Sequence, residues 1–338
     1  MKTVTLSPSG QSVPIAEGDT VLMALEKSGF ALPNNCRAGT CGECKVRVLE
    51  GEVDQGFVLD MALPQKEREQ GFRLICVAKP VSDQLVIEWG SADVAPRLFP
   101  PREGMLYLVV DKIQRTPRIV ELHLMPLGTP MRFWPGQYVA IKAPNRPDQP
   151  RHYSLAQAPR PDGMLVLQIT RVEGGVTSTW LHENVSIGAT LPISGPYGAF
   201  IGDPKAETPV LCLAAGSGQA PILALADAAL RRGYSAPVTL IFSARTADDV
   251  YAQGRLAYWT HMHRNFKSLL TLTREQRGGM LHGRIPEILP DLFPDLSAHS
   301  VFIAGSPAFS EACLSTVKRL GAKDELLHME KFVDQKMS

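Results

Sequence analysis

Four cysteines constrain this chain more than any other feature of its sequence. Cys36, Cys41 and Cys44 lie on one short stretch, with four and then two residues between them, and Cys76 follows after a further 31 residues. Three thiols from a single loop and a fourth from a distant segment can surround one centre only if the loop folds back onto the rest of its domain. The first part of the chain is therefore expected to fold around a shared thiol-ligated centre.

The loop between the first three cysteines is built from small residues. Gly39 and Gly42 allow dihedral angles that point backbone N–H groups at sulfur, and Ala38 and Thr40 keep the wall of the loop thin. The C-x4-C-x2-C…C spacing is that of plant-type [2Fe–2S] clusters. Structural zinc also accepts four cysteines, but zinc sites usually pair two C-x2-C knuckles and this chain has one. The sequence predicts a [2Fe–2S] cluster on the four cysteines.

Three modules are predicted along the chain, which is longer than one ordinary domain. Residues 1–92 carry the four cysteines, and residues 93–103 form a proline-containing linker. Residues 104–203 are rich in short strands with closely spaced turns, which predicts a small antiparallel barrel. Residues 204–338 alternate buried strands with helices, which predicts a doubly wound parallel sheet. The fold class is thus multidomain, with α+β and α/β parts.

Composition narrows the function. The net charge of +1 argues against a nucleic-acid or membrane-surface partner, and the absence of a leader or a long apolar run predicts a soluble cytoplasmic protein. Six cysteines are too few for a disulfide scaffold in a chain of this length. Cys212 lies in an apolar run and Cys313 in an expected helix, so both are interpreted as buried core thiols.

Four short motifs occupy the strand-rich segment in a fixed order: Pro135–Tyr138, Arg151–Ser154, Gly175–Ser178 and Gly195–Gly198. They resemble the PGQ-aromatic, R-x-Y-S, G-x-x-S and GPxG motifs of the ferredoxin–NADP reductase superfamily. With the cysteines at its start, the chain resembles the reductase components of bacterial multicomponent oxygenases over essentially its whole length. The resemblance implies a β-grasp ferredoxin domain, an FAD-binding antiparallel barrel and an NAD(P)-binding domain.

The same resemblance assigns flavin-binding roles. Arg151 would pair with the flavin phosphate, Tyr153 would lie against the isoalloxazine ring, and Ser154 would hydrogen-bond near its N5 atom. The helix start after Gly175 would hold the pyrophosphate with backbone N–H groups. FAD is favoured over FMN because it carries that pyrophosphate. The full predicted flavin set is Arg151, His152, Tyr153, Ser154, Ile169, Gly175, Val176, Thr177 and Ser178.

The nicotinamide site is predicted at glycine turns that follow buried strands, where the backbone can approach a pyrophosphate. The first turn contributes Gly216, Ser217, Gly218 and Gln219, and the second contributes Gly305, Ser306 and Pro307. Ala304 stands where the family has a cysteine beside the nicotinamide, which puts hydride-transfer geometry in doubt. Glu330 and Phe332 match the family's E-x-F, so Ser154, Glu330 and Phe332 are the predicted catalytic residues.

The choice of nicotinamide is less determined. Oxygenase reductases mostly use NADH, which is the expectation here. Thr273 and Arg274 nevertheless resemble the stretch with which relatives hold the 2′-phosphate of NADPH, and Arg245 occurs in relatives of both preferences. NADPH is therefore kept as a second donor.

Together these sites predict electron transfer from NADH through FAD and the cluster to an oxygenase component or a separate ferredoxin. A flavin must lie between the nicotinamide and the cluster, because a hydride carries two electrons and the cluster accepts one. Other acceptors, such as a deoxysugar dehydrase, and a non-catalytic redox-sensing module are the alternatives. The acceptor is expected to dock near Arg37 and Glu43, the chain is expected to be a monomer, and His152, His182 and His263 are not expected to act in catalysis.

Overall fold

The computed structural model describes residues 2–203 and 206–332, which form two compact units. The first extends to Pro101 and includes Pro196–Ala199, and the second contains Arg102–Gly195 and continues from Phe200. Within the described part of the chain, no helix is long and apolar enough to cross a bilayer.

The first unit contains a five-stranded mixed sheet that packs against one helix. Its elements are β1 (Lys2–Ser7), β2 (Gln11–Ile15), α1 (Val21–Lys27), β3 (Lys45–Glu50), β4 (Val53–Asp54), α2 (Gln65–Glu69), β5 (Phe72–Leu74), β6 (Lys79–Pro80) and β7 (Gln84–Glu88). The strand order is β2-β1-β7-β3-β5, and only β1 and β7 pair in parallel. Helix α1 begins where the Thr20 hydroxyl accepts the Met23 N–H at 3.3 Å. This mixed sheet confirms the predicted β-grasp domain.

The second unit begins with the elements of an antiparallel barrel. These are β8 (Arg102–Thr116), β9 (Ile119–Pro126), β10 (Tyr138–Ala143), β11 (Arg146–Ser154), β12 (Leu165–Thr170), α3 (Val176–Glu183) and β13 (Thr190–Tyr197). The order β11-β10-β13-β8-β9-β12 is closed by a bridge between Leu155 and Leu167, which joins the two edge strands. This bridge brings the two edge strands of the barrel together just beyond the end of β11.

The rest of the second unit is a parallel sheet with helices on both faces. Its elements are β14 (Val210–Ala215), α4 (Gln219–Arg231), β15 (Val238–Ala244), α5 (Gln253–Met262), β16 (Phe266–Leu272), β17 (Leu281–His282), α6 (Ile285–Leu292), β18 (Ser300–Gly305), α7 (Pro307–Arg319) and β19 (Leu327–Lys331), in the order β17-β16-β15-β14-β18-β19. Along β14, Leu211 and Leu213 join one core while Cys212 and Ala214 join the other. This alternation into two cores confirms the doubly wound prediction.

The barrel and the parallel sheet share one unit, whereas the sequence predicted separate modules for residues 104–203 and 204–338. Ala156 and Val166 of the barrel are buried against Ala220 of α4. Asp227, also on α4, accepts a hydrogen bond from the Ala158 N–H at 3.2 Å. These long-range contacts join the two sheets and carry no local sequence signal.

Two cysteines outside the loop lie in the core, as predicted. Cys212 and Cys313 are both buried, and burial raises the pKa of each thiol to about 12. Their surroundings are apolar and the charged thiolate is therefore disfavoured.

Candidate functional site

The cysteine loop is shaped by backbone donors and by close packing. The N–H groups of Ala38 and Thr40 point at Cys36 Sγ, at 3.5 and 3.4 Å. Gly39 has φ of +72°, and a Cβ at this position would clash with the Phe57 carbonyl oxygen. Only glycine fits both this dihedral angle and this approach, so the loop is built to aim N–H groups inward around sulfur.

The four thiols are neighbours, three of them on this loop and Cys76 on the segment that follows β5. Cys36 interacts with Cys41 and Cys76, and Cys76 also interacts with Cys44. The hydrogen bonds between these thiols lower the pKa of Cys36 and raise the pKa values of Cys41 and Cys76, so the thiols titrate together as one group. Four converging sulfurs with backbone donors aimed at one of them suit the donor set of an iron–sulfur cluster.

Arg37, near which the acceptor was expected to dock, folds back against the domain. Its guanidinium lies 2.7 Å from Glu26 Oε1, and its side chain is 16% exposed. Buried Glu26 holds the arginine inward, so Arg37 contributes to the support of the loop rather than to an exposed docking surface. Glu43 is half-buried beside the ligands.

Next to the loop lies an apolar patch that sequence reasoning missed, formed by Phe57, Leu59 and Met61. These side chains are 69%, 37% and 84% exposed. The Leu59 N–H donates to the Gly39 carbonyl at 3.1 Å, which fixes the patch directly against the cysteine loop. The apolar run Phe57–Leu59 with Met61 was the available signal, but a short apolar run usually indicates a buried strand.

The flavin motifs of β10 and β11 are neighbours by register. Tyr138 pairs with Ser154 and Val139 pairs with Tyr153 across the antiparallel ladder. The Tyr138 and His152 rings lie 5.0 Å apart at a tilt of 45°. Arg151 is half-buried, and its Nη1 donates to the Pro150 carbonyl at 3.2 Å. The barrel thus collects the two motifs on adjoining strands.

The pyrophosphate motif lies at the start of α3, which begins at Val176. The Ser178 hydroxyl accepts the Val172 N–H at 3.1 Å and lies 3.4 Å from the Gly175 carbonyl, so it shapes the loop that precedes the helix. The first N–H groups of a helix have no intrahelical acceptor and are suited to an anion. Thr177 is buried and Val176 is exposed at the edge of this turn.

Ile169, a predicted flavin contact, lies on β12 of the barrel. Its side chain is fully buried in the barrel core, and its carbonyl lies 2.9 Å from His182 Nε2. The strand buries alternate residues inside the barrel, so this side chain is not available to a cofactor. The same contact gives His182 a structural role, and His263 ends α5.

Ser154 meets a buried carboxyl group. Its Oγ lies 3.2 Å from Glu330 Oε2, and burial raises the pKa of Glu330 to about 8, offset in part by the Ser154 hydrogen bond. Glu330 pairs in register with Ala304 on β18, and the Phe332 N–H donates to the Gly305 carbonyl at 2.7 Å. The structure therefore brings the predicted catalytic residues to one end of the parallel sheet.

The glycine turn after β14 is tightly packed. Gly216 has φ of +56°, and a Cβ on Gly218 would clash with the Ala304 carbonyl oxygen. Gln219 is buried, and among the described residues its amide nitrogen and oxygen have no hydrogen-bond partner. A buried amide without partners is costly unless a ligand or water satisfies it, which suits a binding site at this turn.

The second turn starts α7. Ser306 is its N-cap and accepts the Phe309 N–H at 3.4 Å, while Pro307 occupies the first helical position. A Cβ on Gly305 would meet the Phe309 ring at 2.6 Å, so glycine is required at the end of β18.

Two arginines lie on adjoining loops at the same sheet edge. The Arg274 N–H donates to the Arg245 carbonyl at 2.9 Å, and both side chains are exposed. Thr273 donates through its N–H to the Ala244 carbonyl at 3.0 Å. Glu275 on the same loop accepts the Ala247 N–H at 2.7 Å. The edge thus offers both cationic groups and a carboxylate.

Three family models match successive parts of the chain. They are a 2Fe-2S iron-sulfur cluster binding domain over residues 4–81, an oxidoreductase FAD-binding domain over residues 109–201 and an oxidoreductase NAD-binding domain over residues 212–314. Each match falls within one of the modules predicted from the sequence. The first match decides between a cluster and zinc in favour of the [2Fe–2S] cluster.

Full-length relatives share all three parts. An aromatic O-demethylase reductase subunit from Amycolatopsis sp. is 34% identical, covering 98% of each chain. The reductase component of a Pseudomonas sp. phenol 2-monooxygenase is 31% identical, covering 97% of this chain and 94% of that protein. The chain belongs to the family of oxygenase reductase components. The reductase therefore binds a [2Fe–2S] cluster, FAD and NAD(P)H.

Solved structures agree with this fold. The reductase matches an Amycolatopsis cytochrome P450 reductase with a TM-score of 0.88 and 31% identity, over 99% of both chains. A ferredoxin reductase in carbazole 1,9a-dioxygenase matches with a TM-score of 0.76 and 25% identity, over 98% of both chains.

Proposed function

We propose that the reductase passes electrons from NADH, through its FAD and its [2Fe–2S] cluster, to the oxygenase component of a multicomponent system that acts on aromatic compounds. The observation that carries this proposal is the likeness along the whole chain to reductase components of aromatic O-demethylase and phenol monooxygenase systems. We further propose that it works as a cytoplasmic monomer.

The flavin, when bound, supplies the conversion between the two-electron chemistry of nicotinamide and the one-electron chemistry of the cluster. The protein's own residues bind the FAD and the nicotinamide dinucleotide and orient them. Ser154 and the backbone N–H groups at the start of α3 bind the FAD, and the turn at Gly216 binds the nicotinamide dinucleotide. Glu330 keeps a proton at neutral pH because its pKa is about 8, so the Ser154–Glu330 pair carries no net charge there.

The proposed electron order can be tested with one substitution. Replacing Cys41 with Ser should abolish cytochrome c reduction, because the cluster loses a ligand, and should spare NADH-dependent reduction of ferricyanide. Cys313→Ser, which alters a buried thiol outside the loop, is the matched control and should keep both activities. Equal loss of both activities in the Cys41 variant would contradict the order.

NADH is the proposed donor, with NADPH slower. The support is the resemblance to oxygenase reductase components, which mostly use NADH. The exposed side chains of Arg245 and Arg274 favour some use of NADPH. A larger kcat/KM with NADPH than with NADH would reverse this part of the proposal.

We place acceptor docking on the face of the cysteine loop, at Glu43 and the apolar patch of Phe57, Leu59 and Met61. Exposed apolar side chains beside an electron exit suit a small, transient interface. The phenol monooxygenase oxygenase component of Pseudomonas sp. can serve as the probe. Met61→Ser should lower the coupled rate with this probe and leave ferricyanide reduction unchanged. A coupled rate equal to that of the unaltered protein would place docking elsewhere.

A further inference from the structure

A buried tyrosine hydroxyl lies beneath the glycine turn of the nicotinamide site. Tyr251 follows β15, and its hydroxyl is 2.9 Å from the Gly216 carbonyl oxygen and 3.1 Å from Gln168 Oε1. Its ring packs edge-on against Phe242, with centroids 5.5 Å apart. The hydroxyl thus lies between the turn and barrel strand β12, which carries Gln168.

The chain of hydrogen bonds continues into the barrel. Gln168 Nε2 donates to Glu121 Oε2 at 2.9 Å, and the other Glu121 oxygen accepts from Arg115 at 2.7 Å and lies 2.9 Å from His123 Nε2. Burial would raise the pKa of Glu121, but the hydrogen bonds from His123, Arg115 and Gln168 lower it to about 2. Glu121 is therefore a fixed anion at the base of the chain.

That anion sets the direction of every bond above it. An ionised carboxylate only accepts, so Gln168 must present its amide nitrogen to Glu121 and its carbonyl oxygen to Tyr251. Tyr251 has one hydroxyl proton and faces two acceptors, so it must donate to Gln168, to Gly216 or to both in a shared bond.

A second bond reaches the same turn from the same strand. Thr170 lies two residues after Gln168, hence on the same face of β12, and its hydroxyl donates to Ser217 Oγ at 2.8 Å. Two neighbouring residues of the turn are thus tied to one barrel strand by side chains from outside the turn.

We propose that Tyr251 and Thr170 are positioning residues that preorganise the Gly216–Gly218 turn for the pyrophosphate of the nicotinamide dinucleotide. This inference rests on the proposed binding of NADH at that turn. A turn held in its binding geometry before the ligand arrives loses less conformational entropy on binding. The hydroxyls therefore act on affinity for NADH and leave the reacting groups unchanged.

The test compares Tyr251→Phe with Tyr258→Phe. Tyr258 lies on α5 and is 59% exposed, which makes it a matched control for loss of a phenol hydroxyl. Loss of one buried hydrogen bond should raise the KM for NADH about five- to tenfold in Tyr251→Phe. The limiting rate of flavin reduction in stopped flow and the FAD content should stay unchanged, since loss of uniform binding raises KM alone. Tyr258→Phe should match the unaltered protein.

Thr170→Val provides an independent variant, because Thr170 is only half-buried and valine has nearly the same shape. We expect its KM for NADH to rise about two- to fivefold, since a part-buried hydrogen bond contributes less. If Tyr251→Phe does not fold, this variant decides. Unchanged KM values in the folded variants would overturn the inference. It would also be overturned if activity fell only in proportion to the FAD content while KM stayed unchanged. If neither NADH nor NADPH reduces the flavin of the unaltered protein, the proposed function fails instead.

Discussion

Glu121 and Glu330 are both buried in the second unit, yet they have opposite electrostatic characters. Three side chains converge on Glu121, and its pKa falls to about 2. Within residues 2–203 and 206–332, Ser154 is the one side chain that hydrogen-bonds Glu330, whose pKa rises to about 8. Burial raises the pKa of both carboxyl groups, and it is outweighed only at Glu121, where three hydrogen bonds and the charge of Arg115 favour the anion.

This difference assigns the two groups different work. A permanent anion is suited to fix hydrogen-bond directions, as Glu121 does for Gln168. A group that titrates near pH 8 can respond to conditions in which the enzyme works, and Glu330 does so beside Ser154. Substitution of either carboxyl group tests whether the two differ in this way.

The largest effect is expected on stability at the anion. Glu121→Ala should lower the free energy of unfolding by about 3 kcal/mol, because Arg115, His123 and Gln168 lose their shared buried acceptor. Urea denaturation followed by tryptophan fluorescence measures the change. Glu183→Ala removes an exposed ion pair with Arg171 and should cost about 0.5 kcal/mol or less. Similar losses in both variants would remove the distinction.

Substitution of Glu330 is expected to change the pH dependence of the rate of flavin reduction. Ionisation of Glu330 places a negative charge beside Ser154, so the limiting rate of flavin reduction by NADH should fall as the pH rises through about 8. Glu330→Gln keeps a neutral side chain at every pH and should lack this fall. Stopped-flow reduction at pH values on both sides of this pKa gives the two profiles. A fall of equal size in both proteins would assign the titration to another group.

The smallest effect is a pair of opposite pH slopes in thermal stability. The folded pKa of Glu330 lies above the usual carboxyl value, so its contribution is lost as the pH rises from about 4.5 to 8. The folded pKa of Glu121 lies below that value, so its contribution is lost as the pH falls from about 4.5 to 2. Tm differences from the Glu330→Gln and Glu121→Gln variants should therefore change with pH in opposite directions. Parallel slopes would contradict the comparison.

Local patterns predicted most of the fold. Buried strands such as Val238–Ala244 end where their apolar runs end, and the spacing of the four cysteines is enough to indicate the cluster. The glycines at 216 and 218 mark a turn because close backbone approach needs them.

The remainder depends on residues that are distant in sequence. Tyr251 and Gln168 are separated by 83 positions, and no local periodicity connects a tyrosine after one strand with a glutamine on another sheet. The Arg37–Glu26 ion pair could not be predicted for the same reason, because Glu26 lies on α1 and draws Arg37 inward. Pairings of this kind follow from how the elements are brought together, which the sequence pattern alone does not specify.

The two core cysteines have a practical consequence for handling this protein. Cys212 and Cys313 are buried with a pKa of about 12, so at pH 8 only about one thiol in ten thousand is ionised, which is the form that reacts with alkylating reagents. The other four cysteines of the chain are the predicted cluster ligands. A thiol titration of the folded protein should therefore read close to zero while the cluster is in place, and thiols that become reactive report loss of the cluster.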